Sequence, residues 1–166
     1  MLDVTLAAPR ICARGLTLKE AVKVALPEAF RWSKEAQLVY AISCDVGENN
    51  KTPDLGRNGK RKNWNIVFWN RADKSNLLVF IKAGRIAYSE EALMGFDRPI
   101  KLKNLNYDSS KALKVIPHLT SSDIKCHFEL IQKEQPVVRV YIFNRPGSCR
   151  IININGRTGK ILLNSE

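Results

Sequence analysis

Two nine-residue stretches constrain this chain more than any other feature: NWNIVFWNR at 63–71 and VVRVYIFNR at 137–145. In the second, Val138, Val140 and Ile142 alternate with Arg139, Tyr141, Phe143 and Arg145. In the first, Trp64, Ile66 and Phe68 alternate with Asn65, Val67, Trp69 and Arg71. A period of two is that of a strand, whose successive side chains point to opposite faces. The aliphatic set is expected to face a helix and the aromatic and arginine set the other side. A strand or hairpin of this kind is marginal alone and needs sheet neighbours and a covering layer.

The surroundings repeat as well. Upstream of the first stretch, GLTLKEAVKVALPEAF gives Thr17 as a helix cap, Glu20 as the reciprocal half of a capping box and Leu16 as a hydrophobic staple. Upstream of the second, NYDSSKALKVIPHL places Tyr107 and Asp108 in the staple and cap positions. Strand candidates AQLVYAISC (36–44) and IKCHFELIQ (124–132) lie between helix and quoted strand. After the quoted strands come the turns ADKSN and PGS, the strands LLVFIK and CRIININ, and a terminal GRI or GKI. The offset between copies drifts from 91 residues at the helix (Ala21 to Ala112) to 74 at the quoted strand (Arg71 to Arg145). The difference is a longer hairpin in the first copy, and loops are where insertions cost least.

The expected fold class is therefore α+β, built as two tandem helix-plus-antiparallel-sheet repeats. An N-terminal extension would span 1–14, the first repeat 15–89, a packed linker 90–106 and the second repeat 107–166. Met94, Phe96, Ile100 and Leu102 make the linker one that packs, and Val22 and Leu113 should occupy equivalent core sites.

Charge is uneven. The net charge is +11; residues 1–50 balance, whereas 51–76 hold seven basic residues against Asp54 and Asp73. The segment NNKTPDLGRNGKRKNW is rich in Asn, Gly and Pro, a loop composition. Residues 51–62 are expected to project as an electrostatic arm, with Arg57, Lys60, Arg61 and Lys62 steering an acidic partner. Basic residues interleaved with aromatics over 57–71 also fit a nucleic-acid-binding protein, although no complete RNP, KH or zinc-finger pattern is present. A half-open helix-on-sheet layout could instead hold a small ligand.

Chemistry-bearing motifs are sparse. Cys12, Cys44, Cys126 and Cys149 lack zinc-ligand spacing and read as buried thiols. His118 and His127 have no sequence-local triad, GRNGKRK lacks the phosphate-loop order, and DVGENNKTPD lacks calcium-loop spacing. These features point to a non-enzyme without cofactor or metal. The chain as given shows no leader and no apolar run long enough to span a bilayer; the compartment stays open, cytoplasmic as it stands and extracytoplasmic if a leader is removed.

The helix face, the Gly-rich basic hairpin before a Trp-led strand in GRNGKRKNWNIVF, and the closing ININGRTGKIL together resemble the PepSY domain, in two copies covering 15–88 and 107–163. The first copy has KAGRIAYS in place of the T-G-K turn. The resemblance implies a PepSY or cystatin-like layout and a non-catalytic domain that binds protein or peptide partners. It further implies a peptidase inhibitor or an accessory to peptidases and sensors, commonly extracytoplasmic. The expected binding surface is the sheet face bearing Trp69, Tyr141 and Phe143, flanked by Arg71, Arg139 and Arg145, because aromatics and arginine concentrate contact energy; the alternative is that the linking segment covers these aromatics or that the two sheets pack on each other.

Overall fold

The structure, a computed structural model, describes residues 15–45, 55–92, 94–117, 119, 125–145 and 147–162. Helix α1 (Leu18–Trp32) starts where the sequence places it: the Thr17 hydroxyl accepts from the Glu20 N–H, and the Glu20 carboxylate accepts from the Thr17 N–H. Its buried stripe of Leu18, Ala21, Val22, Ala25 and Ala29 turns toward the sheet. Small alanines on that stripe let the helix lie close over its strands. Helix α2 (Ser109–Lys114) is a shorter counterpart capped by Asp108, which accepts from the Lys111 N–H. Ala112 is fully buried in α2, but Leu113 is only half-buried, so it is not equivalent to the enclosed Val22. A six-residue helix has too few turns to bury as wide a stripe.

The strands are β1 (Gln37–Cys44), β2 (Asn63–Trp69), β3 (Asn76–Lys82), β4 (Arg85–Ala92), β5 (Lys125–Gln132), β6 (Pro136–Arg145), β7 (Ser148–Asn155) and β8 (Ile161–Leu162). They form one antiparallel sheet in the order β4-β3-β2-β1-β5-β6-β7-β8. This order mirrors about the β1–β5 pair, where Ala41 lies opposite Leu130 and Ile42 opposite Glu129. The terminal GRI and GKI lead into strands of unequal length, eight residues in β4 and two in β8. Both helices lie on one face. Trp64, Ile66, Phe68, Val138, Val140 and Ile142 all join the core beneath them, as the alternation requires.

The linker packs in part. Ile100 is buried in the helix-side core and donates its N–H to the Leu38 carbonyl (2.7 Å), Leu102 packs against the same core, and Phe96 stacks on Tyr40 with ring centroids 4.5 Å apart. Met94 is exposed.

The basic hairpin departs from expectation. Residues 51–54 lie outside the described residues, but 55–62 lie against the protein body rather than projecting from it. Leu55 accepts from the Cys126 N–H of β5 (2.8 Å), and Leu16 and Arg61 exchange two backbone hydrogen bonds (2.8 and 2.9 Å). The Gly59 carbonyl accepts from the Ser109 hydroxyl (2.5 Å), which in turn accepts from the Leu18 N–H (2.9 Å). One serine thus ties the start of both helices to the hairpin. Arg61 is fully buried and ion-paired with Asp45, so it is a structural cation and no part of a steering arm; Arg57 is exposed, and Lys60 and Lys62 are half-buried.

Gly59 shows why the hairpin reads as a loop and behaves as a strap. Its φ of 77° lies in the left-handed region, and a Cβ there would come within 2.3 Å of the Ser110 Cα. Only glycine lets the hairpin approach the α2 backbone this closely. Gly59→Ala is expected to cost roughly 2 to 4 kcal/mol from backbone strain and overpacking, whereas Arg57→Ser stays within about 0.5 kcal/mol. Urea denaturation of the two variants checks this, and equal stability would place the hairpin away from α2.

Candidate binding face

The sheet face opposite the helices carries the side chains that the alternation assigns outward, and it divides into two regions. In the second half, Arg139, Tyr141 and Phe143 of β6 stand on this face beside Asn153, Ile151 and Cys149 of β7. Phe143 and Ile151 are exposed, at 37% and 43%. The His127 ring meets Phe143 edge-on, with centroids 5.7 Å apart. Together with Tyr141, these residues form a contiguous, partly apolar patch.

Arg139 and Tyr141 are held from the neighbouring strand on the same face. Glu129 of β5, 7% exposed, accepts hydrogen bonds from the Tyr40 hydroxyl (2.9 Å), the Tyr141 hydroxyl (2.6 Å) and an Arg139 guanidinium nitrogen (2.7 Å). The Arg139 Nε donates to the Asn153 side chain at 3.1 Å. A buried carboxylate with three donors is well compensated. Arg139 is accordingly spent within the face: its charge is paired, and it positions Tyr141 more than it offers itself to a partner.

Trp69 is half-buried on β2, and Arg71 is exposed in the following turn. The side chain of Arg145 lies outside the described residues. Ile66, Ala41, Leu130 and Val138 lie level across β2, β1, β5 and β6. Trp69 is three residues beyond that line toward one end of the sheet, and Phe143 five beyond it toward the other. At ~3.3 Å per residue the two rings are separated along the strands by on the order of 25 Å. They hold the same position in the two quoted stretches, and the antiparallel β1–β5 seam sends such positions to opposite ends. The structure therefore brings Arg139, Tyr141 and Phe143 together and leaves Trp69 and Arg71 apart.

A second polar cluster sits at the seam. Asp45 pairs with Arg61, with Lys125 (2.6 Å) and with His127 Nε2 (3.2 Å). His127 Nδ1 lies 3.1 Å from the Ser43 carbonyl and 3.2 Å from the Ser43 hydroxyl. The trio of Ser43, His127 and Asp45 has the residue types of a nucleophile relay. However, Ser43 is 3% exposed and its hydroxyl accepts from the Phe128 N–H at 2.9 Å, so the arrangement acts as a strut between β1 and β5. Burial and the nearby Arg61 charge hold His127 below the usual histidine range. Burial pushes Asp45 up, but the Lys125 hydrogen bond and the His127 and Arg61 charges outweigh it and leave it below the usual carboxylate range.

His118 and Cys12 lie outside the described residues. Of the described cysteines Cys126 is buried, Cys44 half-buried and Cys149 exposed, and none of the three is in a disulfide. The expectation of buried thiols fails at Cys149 because it lies at the start of β7, on the exposed part of the outward face. Among the described residues no His, Cys, Asp and Glu side chains group as metal ligands, and no helix is long and apolar enough to cross a membrane. Glu129, Tyr40, Asn153 and Ile151 escaped the sequence reading. Alternation in IKCHFELIQ puts Glu129 outward, but its partners depend on a strand register that spacing does not reveal.

No family model matches the chain, and the search of curated proteins returns no match. Among solved structures the fold is similar to a "putative lipoprotein" from Clostridium difficile 630, with a TM-score of 0.60 and 12% identity, over 86% of this chain and 90% of that one. At that identity the likeness is one of fold.

The Glu129 cluster has a spectroscopic signature. Burial, then the charge and hydrogen bond of Glu129, push the Tyr40 hydroxyl well above the usual tyrosine range; burial and the Glu129 hydrogen bond raise Tyr141. A pKa raised on folding contributes stability that is complete below the unfolded value of about 10 and is lost as pH climbs past it. Phenolate absorbance should show Tyr40 and Tyr141 titrating above the usual tyrosine range, with stability falling above about pH 10. Glu129→Gln should move both back toward the ordinary range, whereas unchanged titration would separate them from Glu129.

Proposed function

We propose that this chain is a non-catalytic binding module, made of two PepSY-like halves that share one sheet, and that it engages a protein or peptide partner on the face opposite its helices. The observation that carries this reading is the patch of exposed Phe143 and Ile151 with half-buried Tyr141, on a face braced by Glu129 of the adjoining strand. Aromatic residues backed by a satisfied polar network form a preorganised surface, which lowers the ordering cost of binding. The mirrored strand order and the paired caps at Thr17 and Asp108 support a duplicated unit. A role as a peptidase inhibitor or accessory domain is the specific form that the PepSY resemblance suggests. The likeness to a protein described as a lipoprotein agrees with an extracytoplasmic setting for that role.

The nucleic-acid reading of 57–71 has less behind it. Trp64 and Arg61 are both fully buried, which removes one stacking platform and one phosphate contact from that segment.

The test is affinity capture of partners with the intact chain and with Phe143→Ser/Ile151→Ser, followed by measurement of purified partner affinity. The expected result is a partner lost or weakened at least ten-fold by the double variant, with thermal stability retained. Equal affinity for both proteins would remove the face. Tight oligonucleotide binding that weakens steeply with salt would put nucleic acid in the partner's place.

A further inference from the structure

The basic hairpin has no counterpart in the second half, where β5 and β6 are joined by a turn of three residues, Lys133 to Gln135. It leaves a cleft of about 340 Å³ between itself, α2 and β5, on the helix side of the sheet and so remote from the binding face. That volume falls near the lower end of small-molecule sites. Leu113, Leu119 and Cys126 supply an apolar lining, while Arg57 and Lys114, both exposed, supply positive charge from opposite walls.

The hairpin wall is fixed in place. Gly56 (φ 65°) has the Cys126 carbonyl oxygen 2.4 Å from where a Cβ would be, and Gly59 is pressed as closely on Ser110. Between them Arg57 and Asn58 form a tight turn closed by the Gly59 N–H to the Gly56 carbonyl (3.0 Å), and Asn58 accepts from the Lys60 N–H (3.0 Å). Two contact glycines clamp the turn that carries Arg57. This wall is thus preformed, and Arg57 is carried on it without ordering a free loop. Cys126, at the inner end of the cleft, is buried, and that burial pushes its thiol up to about 11, against the opposing charges of Arg61 and Arg57.

We propose that this cleft is a binding site for a small organic carboxylate with an apolar body, the head placed between Arg57 and Lys114 and the body against Leu113, Leu119 and Cys126. An apolar lining alone would take a neutral molecule, and a basic rim alone a bare anion. The two together select an amphiphilic anion. This site is independent of the partner-binding face.

Decanoate, decanol and acetate titrated into the full chain test the proposal. Calorimetry should show decanoate binding at one site, with decanol and acetate at least ten-fold weaker. Arg57→Ser/Lys114→Ser alters only exposed side chains and should weaken decanoate at least ten-fold. Leu113→Trp, which fills the cleft, should abolish binding with thermal unfolding retained. Saturating decanoate should also slow alkylation of Cys126, read by mass spectrometry, without slowing that of Cys149. Failure of decanoate to bind would overturn the site, as would equal affinity for decanol. Wild-type affinity in the double serine variant or unprotected Cys126 would overturn it too.

Discussion

The rest of the structure depends on the antiparallel pairing of β1 with β5. Each half alone offers a helix on three or four strands, a layout that buries little per residue and exposes a long sheet edge. Joining β1 to β5 closes two such edges and makes one eight-stranded sheet. The seam is short in register, with Ala41 opposite Leu130 and Ile42 opposite Glu129. Side chains reinforce it: Ser43 accepts from the Phe128 N–H, His127 reaches back to Ser43, and Asp45 gathers Arg61, Lys125 and His127. On the outward face Tyr40 of β1 is bonded to Glu129 of β5. Polar groups concentrate where two apolar halves must meet in one register, since burying them unpaired would cost more than a slip of aliphatic residues.

The strap acts on the same joint from the helix side. Over 55–62 it contacts β5 at Cys126 and α2 at Ser109, and meets the first half at Leu16. Arg61 is the cation of this crossing. Its guanidinium lies enclosed beside Asp45, and its backbone pairs with Leu16 beneath the Trp64 indole, whose N–H donates to both the Leu16 and Arg61 carbonyls (3.2 and 3.0 Å). Strand seam, strap and shared serine together join the two halves.

Local signals were legible in the sequence. Thr17 with Glu20, and Asp108, announce helix starts because capping is a matter of neighbours three residues apart. The alternation in 63–69 and 137–143 correctly separates core from outward side chains, because strand geometry imposes it. What failed was tertiary. The hairpin's glycines read as freedom, yet Gly56 and Gly59 serve closeness to β5 and α2, which only the fold reveals. Arg61 counted as one charge among seven, yet its burial is set by Asp45, sixteen residues away in sequence. Alternation alone puts Trp69 and Phe143 in one surface because they match in the two stretches, and the antiparallel seam parts them for that same reason.

The central claim is that one sheet, joined at β1–β5, makes the halves fold together. Differential scanning calorimetry of the full chain tests it most directly, because it compares the measured enthalpy with that demanded by a single two-state transition. The account predicts one transition in which the two enthalpies agree, and a Ser43→Ala variant that lowers its midpoint without splitting it. Two resolved transitions, or a van't Hoff enthalpy near half the calorimetric one, would show that the halves unfold separately and contradict it.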